Sequence, residues 1–537
     1  MKINKKFFLM ALASLSLVGC ADLDTAPMGS TITADQKAST VDANPERVAA
    51  SVNAIPTMFS IYQNTTGGHN DFGYSALMLL SDGRGMDLVS EDIGYNWFSY
   101  PIAMTGDWNI NSISNVMTWE TLYNQIYATN AVTASIDREA QLGEEADPTL
   151  QYYLAQALVV RAFDYFHLAQ QYQQTYVGHE TLPCVPIITE KNTDEAAVNG
   201  CPRSSVQEVY DFIMTDLTDA ITMLEATDMK RADRRYADAA VAHGLRARVE
   251  MVMNKWAEAR DDAQAAIDLT DARPATIEEV SKPTFKDMNE PNWMWGIFIT
   301  EEDRVVTSGI VNWPSHMGSL NYGYASVGAW RYISKKLYNS IADTDVRKGW
   351  WLDENSTSVN LNEAQQAYVD DAGIPAYTQV KFAPYKDEIY SSTNANHIPL
   401  MRVEEMYLIL AEATAMAGDA GTGKSILESF VKTYRNPSYA STASSAEQVQ
   451  DAVWNQRRIE LWGEGLSYWD IMRLKKGIDR RGAGFETAYV YNIPAEEEIF
   501  IFKIPKEETE ANKLIDGVAD NNPDAKDAKT YLVEDEE

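Results

Sequence analysis

Cysteine and histidine are scarce in this chain: three and six, respectively, in 537 residues. Neither Cys184 nor Cys201 has a Cys or His at metal-ligand spacing, so no zinc site is read. The histidines are scattered, and both H-E-x-x-H and the nucleophile elbow G-x-S-x-G are missing, which leaves metal-dependent and serine hydrolase chemistry without support. Basic residues are also few. Lys and Arg number 45 against 78 Asp and Glu, a formal net charge of −33, and a chain of that sign repels the nucleic-acid backbone. No apolar run is long enough for the ~20 residues of a membrane-spanning helix. What is present, 45% apolar and 23% charged residues, is the composition of a folded, water-soluble body.

The one notable apolar run is short and placed at the start. Lys2, Lys5 and Lys6 precede it at residues 7–18, the order of an export signal. It ends in Leu17-Val18-Gly19-Cys20, which resembles the lipobox of bacterial lipoproteins. Residues 1–19 are therefore expected to be removed and Cys20 to become a lipidated first residue, since several acyl chains on one cysteine suffice for stable anchoring. Residues 20–45, rich in Asp, Ala, Thr and Ser, read as a flexible tether, and residues 46–537 as a single globular domain. Cys184 and Cys201 would pass through an oxidising compartment. A disulfide and two separate thiols both remain open, because spacing does not give the Cα separation.

Helical periodicity dominates the globular part. Leu154, Leu158, Ala162, Tyr165, Ala169 and Tyr172 mark one long amphipathic helix. Val241, Leu245, Val249 and Val252 mark another. After a turn at Asn254-Lys255, Ala259, Ala263 and Ala266 continue on a second helix, in the pattern of a tetratricopeptide hairpin. Val403, Met406, Leu410 and Ala413 begin a further pair, broken at Gly418–Gly421 before a helical stretch at 425–434. The spacing between pairs is not constant, so a plain solenoid is excluded and long segments must be inserted. The longest, about 271–396, contains strand-like Trp295-Gly296-Ile297-Phe298-Ile299. The expected class is all-α: helical hairpins with irregular loop insertions carrying small β elements.

Gly418-x-x-x-x-Gly423-Lys424-Ser425 satisfies the phosphate-binding P-loop pattern. It is rejected because such a loop must follow a buried strand, and the preceding stretch has helical spacing. No cofactor is expected, and a metal is left undetermined. With 78 acidic residues no carboxylate pair for glycoside hydrolysis can be nominated. Aromatics are more telling. Six of 13 tryptophans, Trp293, Trp295, Trp313, Trp330, Trp350 and Trp351, fall in the long insertion, and Trp97, Trp108 and Trp119 in the early segment. Flat rings stack on the C–H faces of sugars while Asn, Asp and Arg bond the hydroxyls. Trp119, at helical spacing from Tyr123 and Ile126, is expected in the core. The turn Asp82-Gly83-Arg84-Gly85-Met86-Asp87, followed by Tyr95-Asn96-Trp97, is expected to form a charged, aromatic rim.

Taken in order, several segments carry a family pattern. They are Cys20-Ala-Asp-Leu-Asp24, the stretch 119–130, Arg161-Ala-Phe-Asp-Tyr-Phe-His-Leu168, and Arg203-Ser-Ser-Val-Gln-Glu-Val-Tyr-Asp-Phe-Ile213. Then come 242–256, Asn396-His-Ile-Pro-Leu-Met-Arg402 with Tyr407-Leu-Ile-Leu-Ala-Glu-Ala413, Arg457-Arg-Ile-Glu-Leu-Trp-Gly-Glu-Gly465 with Trp469-Asp-Ile-Met-Arg473, and Ile504-Pro-Lys-Glu507. Together they resemble the SusD/RagB family of outer-membrane nutrient-binding lipoproteins. The pattern departs at Ser467, where family members often carry Arg. The resemblance implies about four tetratricopeptide-like hairpins and no catalysis. It also implies a lipid-anchored cell-surface position over a SusC-like TonB-dependent outer-membrane transporter, with delivery of captured glycan to it. By position it points to Arg84, Asn96, Trp97, Trp313, Tyr322 and Tyr324 as ligand-binding residues, with Asp82 and Trp330 as lesser candidates. A peptide-binding member of the same family and an exported glycan-degrading enzyme are the alternatives.

Overall fold

Short polar side chains set where the helices begin. Asp147 accepts from the amides of Thr149 and Leu150, with Pro148 in the first turn; Ser205 and Glu208 form a reciprocal capping box; Asp238, Asp419 and Ser445 cap three later helices. The computed structural model describes residues 46–104 and 109–536. The expected signal peptide, tether and Cys20, as well as Trp108, lie outside the described residues. The main helices are α1 (Glu46–Thr57), α2 (Tyr74–Arg84), α3 (Ile113–Thr133), α4 (Pro148–Tyr172), α5 (Val206–Ala226), α6 (Ala239–Val252) and α7 (Trp256–Leu269). After the long insertion follow α8 (Val403–Met416), α9 (Ala420–Tyr434), α10 (Ala446–Glu460) and α11 (Ser467–Arg473).

From α3 onward each helix packs on the next in chain order as far as α9, and α8 also packs on α10. The hairpins read from periodicity are those of α6 with α7 and α8 with α9. Asn254, at φ +56°, makes the first turn, and Ala259, Ala263 and Ala266 are fully buried beneath it. Helix α4 differs from expectation. Every residue from Leu150 to Tyr172 is buried, because α1, α3, α5 and α6 all pack against it. It is the central strut, not a one-faced helix. Helix α6 comes close to the insertion's far end, and a Cβ at Gly244 would stand 2.7 Å from the Met401 sulfur.

Among the described residues three small antiparallel ladders form. They pair β1 (Leu88–Val89) with β3 (Tyr332–Ile333), β2 (Trp293–Ile297) with β4 (Ile398–Arg402), and β5 (Ile478–Asp479) with β6 (Asn492–Ile493). The second ladder ties the neck of the insertion. Trp293 lies opposite Arg402 and Ile297 opposite Ile398, so α7 and α8 pack directly although over 130 residues separate them.

Beside this neck lies a buried ionic network. The Glu460 carboxylate, at the end of α10, accepts from Arg435 at 2.7 Å, Arg402 at 3.1 Å and Arg347 at 3.2 Å. Arg402 also donates to Glu464 at 2.8 Å, and Lys381 donates to the same Glu464 oxygen at 2.6 Å. Burial alone would push Glu460 up, but the guanidinium of Arg435 and the charges of Arg402 and Arg347 hold it well below the usual carboxylate range. Near Ser467, Asp87 accepts from Arg458 at 2.5 and 2.9 Å and from the Ser467 hydroxyl at 2.9 Å.

Cys184 and Cys201 are separate thiols. Pro183 pairs with Ser205, and the Cys184 amide donates to the Ser204 carbonyl, which puts Cys201 three residues out of register with it. Burial pushes the Cys184 thiol up to about 12. The P-loop pattern falls in the turn after α8, a helix and not a strand. Lys424 and Ser425 lie inside α9, where the Ser425 hydroxyl donates back to the Gly421 carbonyl.

Two outcomes follow from this packing. Glu460→Ala leaves three arginines facing an empty interior position and is expected to lower unfolding free energy by about 3–5 kcal/mol in urea denaturation. Second, His243 of α6 bridges Asp262 of α7 (2.7 Å) and Glu225 of α5 (2.9 Å), with Arg246 and Glu250 alongside. Burial opposes its protonation, but the bonds to Asp262 and Glu225 outweigh it and raise its pKa. The clamp is thus at full strength below the unfolded value of ~6.5 and is lost as pH rises through the higher folded value. Melting temperature should fall over that window in the parent protein, and the slope should flatten in His243→Gln.

Candidate ligand-binding site

The loop between β1 and α3 and the loop after α1 meet the insertion at one aromatic stack. Trp97, 40% exposed, lies over the His69 ring at 4.8 Å and 22°. The His69 Nδ1 is hydrogen-bonded to the Tyr324 hydroxyl. The Tyr324 ring stacks on His316 at 4.8 Å, and His316 stacks on Phe72 at 5.3 Å. A column of rings therefore runs from the surface into the core. Burial and the Arg331 charge push His316 well below the usual imidazole range, so it is neutral, and its Nε2–H donates to the His69 carbonyl at 2.8 Å.

Arg331 fixes the column to the rest. Fully buried, it donates to the Ser90 hydroxyl at 2.6 Å, to the Asn96 side-chain oxygen at 3.1 and 3.2 Å, and to the His316 carbonyl at 2.8 Å. Burial brings this guanidinium down to about 9. Asn96 is saturated in return: its oxygen also accepts from the Phe98 amide, and its NH₂ donates to the Ser90 hydroxyl and the Glu91 carbonyl. Asn96 thus orients Trp97.

Trp97 forms one lip of a cavity of about 740 Å³. Tyr100, 61% exposed, is another lip, and Asn70, Asn109, Asn111 and Ser112 supply amide and hydroxyl groups. An apolar face bordered by uncharged donors and acceptors can hold a polyhydroxylated ring on its C–H side and bond its edge. Nearby, the exposed Tyr322 meets the exposed Tyr390 edge to face at 5.3 Å, and Tyr390 rests on Tyr368.

Of the residues nominated from sequence, Asn96, Trp97, Tyr322 and Tyr324 belong to this region. The other four do not reach it. Asp82 and Arg84 are on α2, which runs through the expected turn as far as Arg84 with every residue buried. Asp82 accepts from the Gly465 amide at 2.8 Å, and burial pushes it up to about 7. Arg84 donates to the Ile499 carbonyl between the rings of Tyr468 and Phe502. Trp313 is core, edge-on to Phe382 at 4.8 Å. Trp330 packs with Leu320, Leu352 and Val369. Sequence reasoning missed His69, Tyr100, Asn109 and Asn111. The run Tyr95, Trp97, Tyr100, in a stretch without helical or strand period, was the available signal for Tyr100. Trp119 is buried as expected. Among the described residues no cluster of three His, Cys, Asp or Glu could hold a metal ion, and no helix is long and apolar enough to cross a membrane.

A helical-repeat scaffold that presents a backed aromatic face above an amide-lined cavity defines a ligand-binding protein. Residues 89–250 match the family model described as "Starch-binding associating with outer membrane", and residues 330–535 match that of the SusD family. The chain belongs to the SusD/RagB family, whose members are outer-membrane-associated carbohydrate-binding proteins. It is 24% identical to the SusD-like protein P2 of Formosa agariphila over 505 residues, 89% of this chain and 92% of that one. Its fold is similar to that of a SusD-like carbohydrate binding protein from Bacteroides vulgatus (TM-score 0.72, 22% identity, 89% of this chain and 98% of the other). It is also similar to the surface glycan-binding protein A of Bacteroides thetaiotaomicron, solved with laminarihexaose (TM-score 0.61, 17% identity, 87% and 98%).

The two tryptophans separate surface from core. Trp97→Ala, which gives up one stacked ring pair, is expected to cost about 1 kcal/mol of unfolding free energy, whereas Trp313→Ala should cost about 3–5 kcal/mol. Thermal and urea unfolding of the two variants measures this.

Proposed function

We propose that this protein is a cell-surface lipoprotein, anchored through Cys20, that captures oligosaccharide at Trp97 and delivers it unaltered to a SusC-like TonB-dependent outer-membrane transporter. The observation that carries the reading is the Trp97 face, open on one side and backed by His69 and Tyr324 on the other. A ring held in place before the ligand arrives loses little side-chain entropy on binding. Sugar C–H groups cover the ring, and Asn70, Asn109 and Asn111 bond the hydroxyls. No bond is made or broken: the action is capture, holding and release. Family membership and the glycan-bound neighbour support carbohydrate as the ligand class.

Titration calorimetry against neutral glycans and peptides tests the ligand. A glycan should bind without appearance of shorter products, and Trp97→Ala should weaken it by about thirtyfold, the loss of one central aromatic contact of ~2 kcal/mol. Heat from peptides alone, or hydrolysis of the bound glycan, would overturn the reading. For delivery, affinity purification from detergent-solubilised outer membranes should bring down a TonB-dependent barrel, and Cys20→Ala should release the protein from the membrane fraction.

A further inference from the structure

A second cavity, of about 590 Å³, opens between α10, the short helix Lys335–Ser340 and the loop at 439–442. It shares no lining residue with the cavity beside Trp97. Its charge is opposite to that of the chain. Lys336, Arg458 and Lys476 line it against a single carboxylate, Asp479, in a protein with 78 acidic and 45 basic residues. That carboxylate is already engaged by Arg481, at 2.9 and 2.7 Å. Arg458 is locked on Asp87, and Lys476 donates to Asp451 at 2.9 Å. Both cations lie over the ring of Trp454, at 5.0 and 5.2 Å, and the buried Trp454 Nε1–H has no partner among the described residues. Asp87, Asp451 and, through Arg481, Asp479 and Glu536 are taken up in these pairs, whereas Lys336, which is exposed, has no carboxylate within ion-pair distance among the described residues and is the one lining cation free to receive an anion. Ser340, Thr442 and Asn455 surround these charges with hydroxyl and amide groups.

We propose that this cleft is a second saccharide site, selective for sugars that carry a carboxylate or sulfate. Lys336 and Lys476 receive the anionic group, and Ser340, Thr442 and Asn455 bond the neighbouring hydroxyls. That the ligand is a sugar rests on the glycan-binding reading above; that it is anionic rests on the cleft itself. Charge-assisted contacts of this kind are strong and salt-sensitive.

The test is titration calorimetry of the whole protein with trigalacturonic acid, and with maltotriose as the neutral reference, at low and high sodium chloride. The acidic trisaccharide should bind more tightly than the neutral one and weaken with salt. Lys336→Glu, a change at an exposed and unpaired side chain, should reduce that binding by about tenfold, Lys336→Arg should retain it, and Trp97→Ala should leave it unchanged. If trigalacturonic acid gives no heat, or if Trp97→Ala removes its binding while Lys336→Glu does not, the proposal is overturned. Displacement by inorganic sulfate with equal affinity would show recognition of an ion alone and overturn the saccharide assignment. Failure of the first site is seen separately, as neutral glycans that bind regardless of Trp97.

Discussion

The carboxylate of Glu460 is the point on which the placement of the insertion against the helices depends. A single anion sealed from water is costly, and it is tolerated here because arginines from three distant parts of the chain surround it: Arg347 from the insertion, Arg402 from the end of β4, and Arg435 from the end of α9. Each of these cations has further acceptors. Arg347 reaches Asp345, Arg402 reaches Glu464, and Arg435 reaches Glu404 at 3.0 Å. The network is directional where apolar packing is not, so it selects one arrangement of insertion against helices from the many that would bury similar area.

That selection matters for the ligand face. The ring column is assembled from three loops with little regular structure of their own, and nothing in a loop by itself holds an indole to a fixed direction. Arg331 does this locally by joining the β1–α3 loop to the insertion, and the insertion is held in turn by Lys381 and Arg347 on the α10 side. The chain of constraint runs from helix array to ionic network, from network to insertion, and from insertion to Trp97. A change at Glu460 would thus be felt far from where it is made.

Much of the scaffold was legible in the sequence. The alanines at 259, 263 and 266 and the turn at Asn254 specify a hairpin by spacing alone, and the helical spacing before Gly418 was enough to discount the P-loop pattern. Periodicity could not show that α4 is buried on every side, because neighbours that cover a helix's second face leave no local mark on it. The site was legible only in part. Trp97 stood out as an aromatic in a stretch with no period. Arg84 and Asp82 looked like a solvent-facing turn because two glycines flank the arginine, yet the helix runs on to Arg84 and is buried throughout. Trp313 and Trp330 are as rich in aromatic surface as Trp97; which of them faces water is decided by residues distant in sequence. His69 carried no signal, since its role arises only when Tyr324 is brought against it.

The ladder of β2 with β4 has a consequence for how such a molecule can change. Because the chain enters and leaves the insertion side by side, lengthening or exchanging the loops beyond that gate need not shift α7 or α8. The insertion is in effect a cassette mounted on a fixed chassis, and the backing that it gives Trp97 through Tyr324 and Arg331 can be rewritten while the chassis is kept.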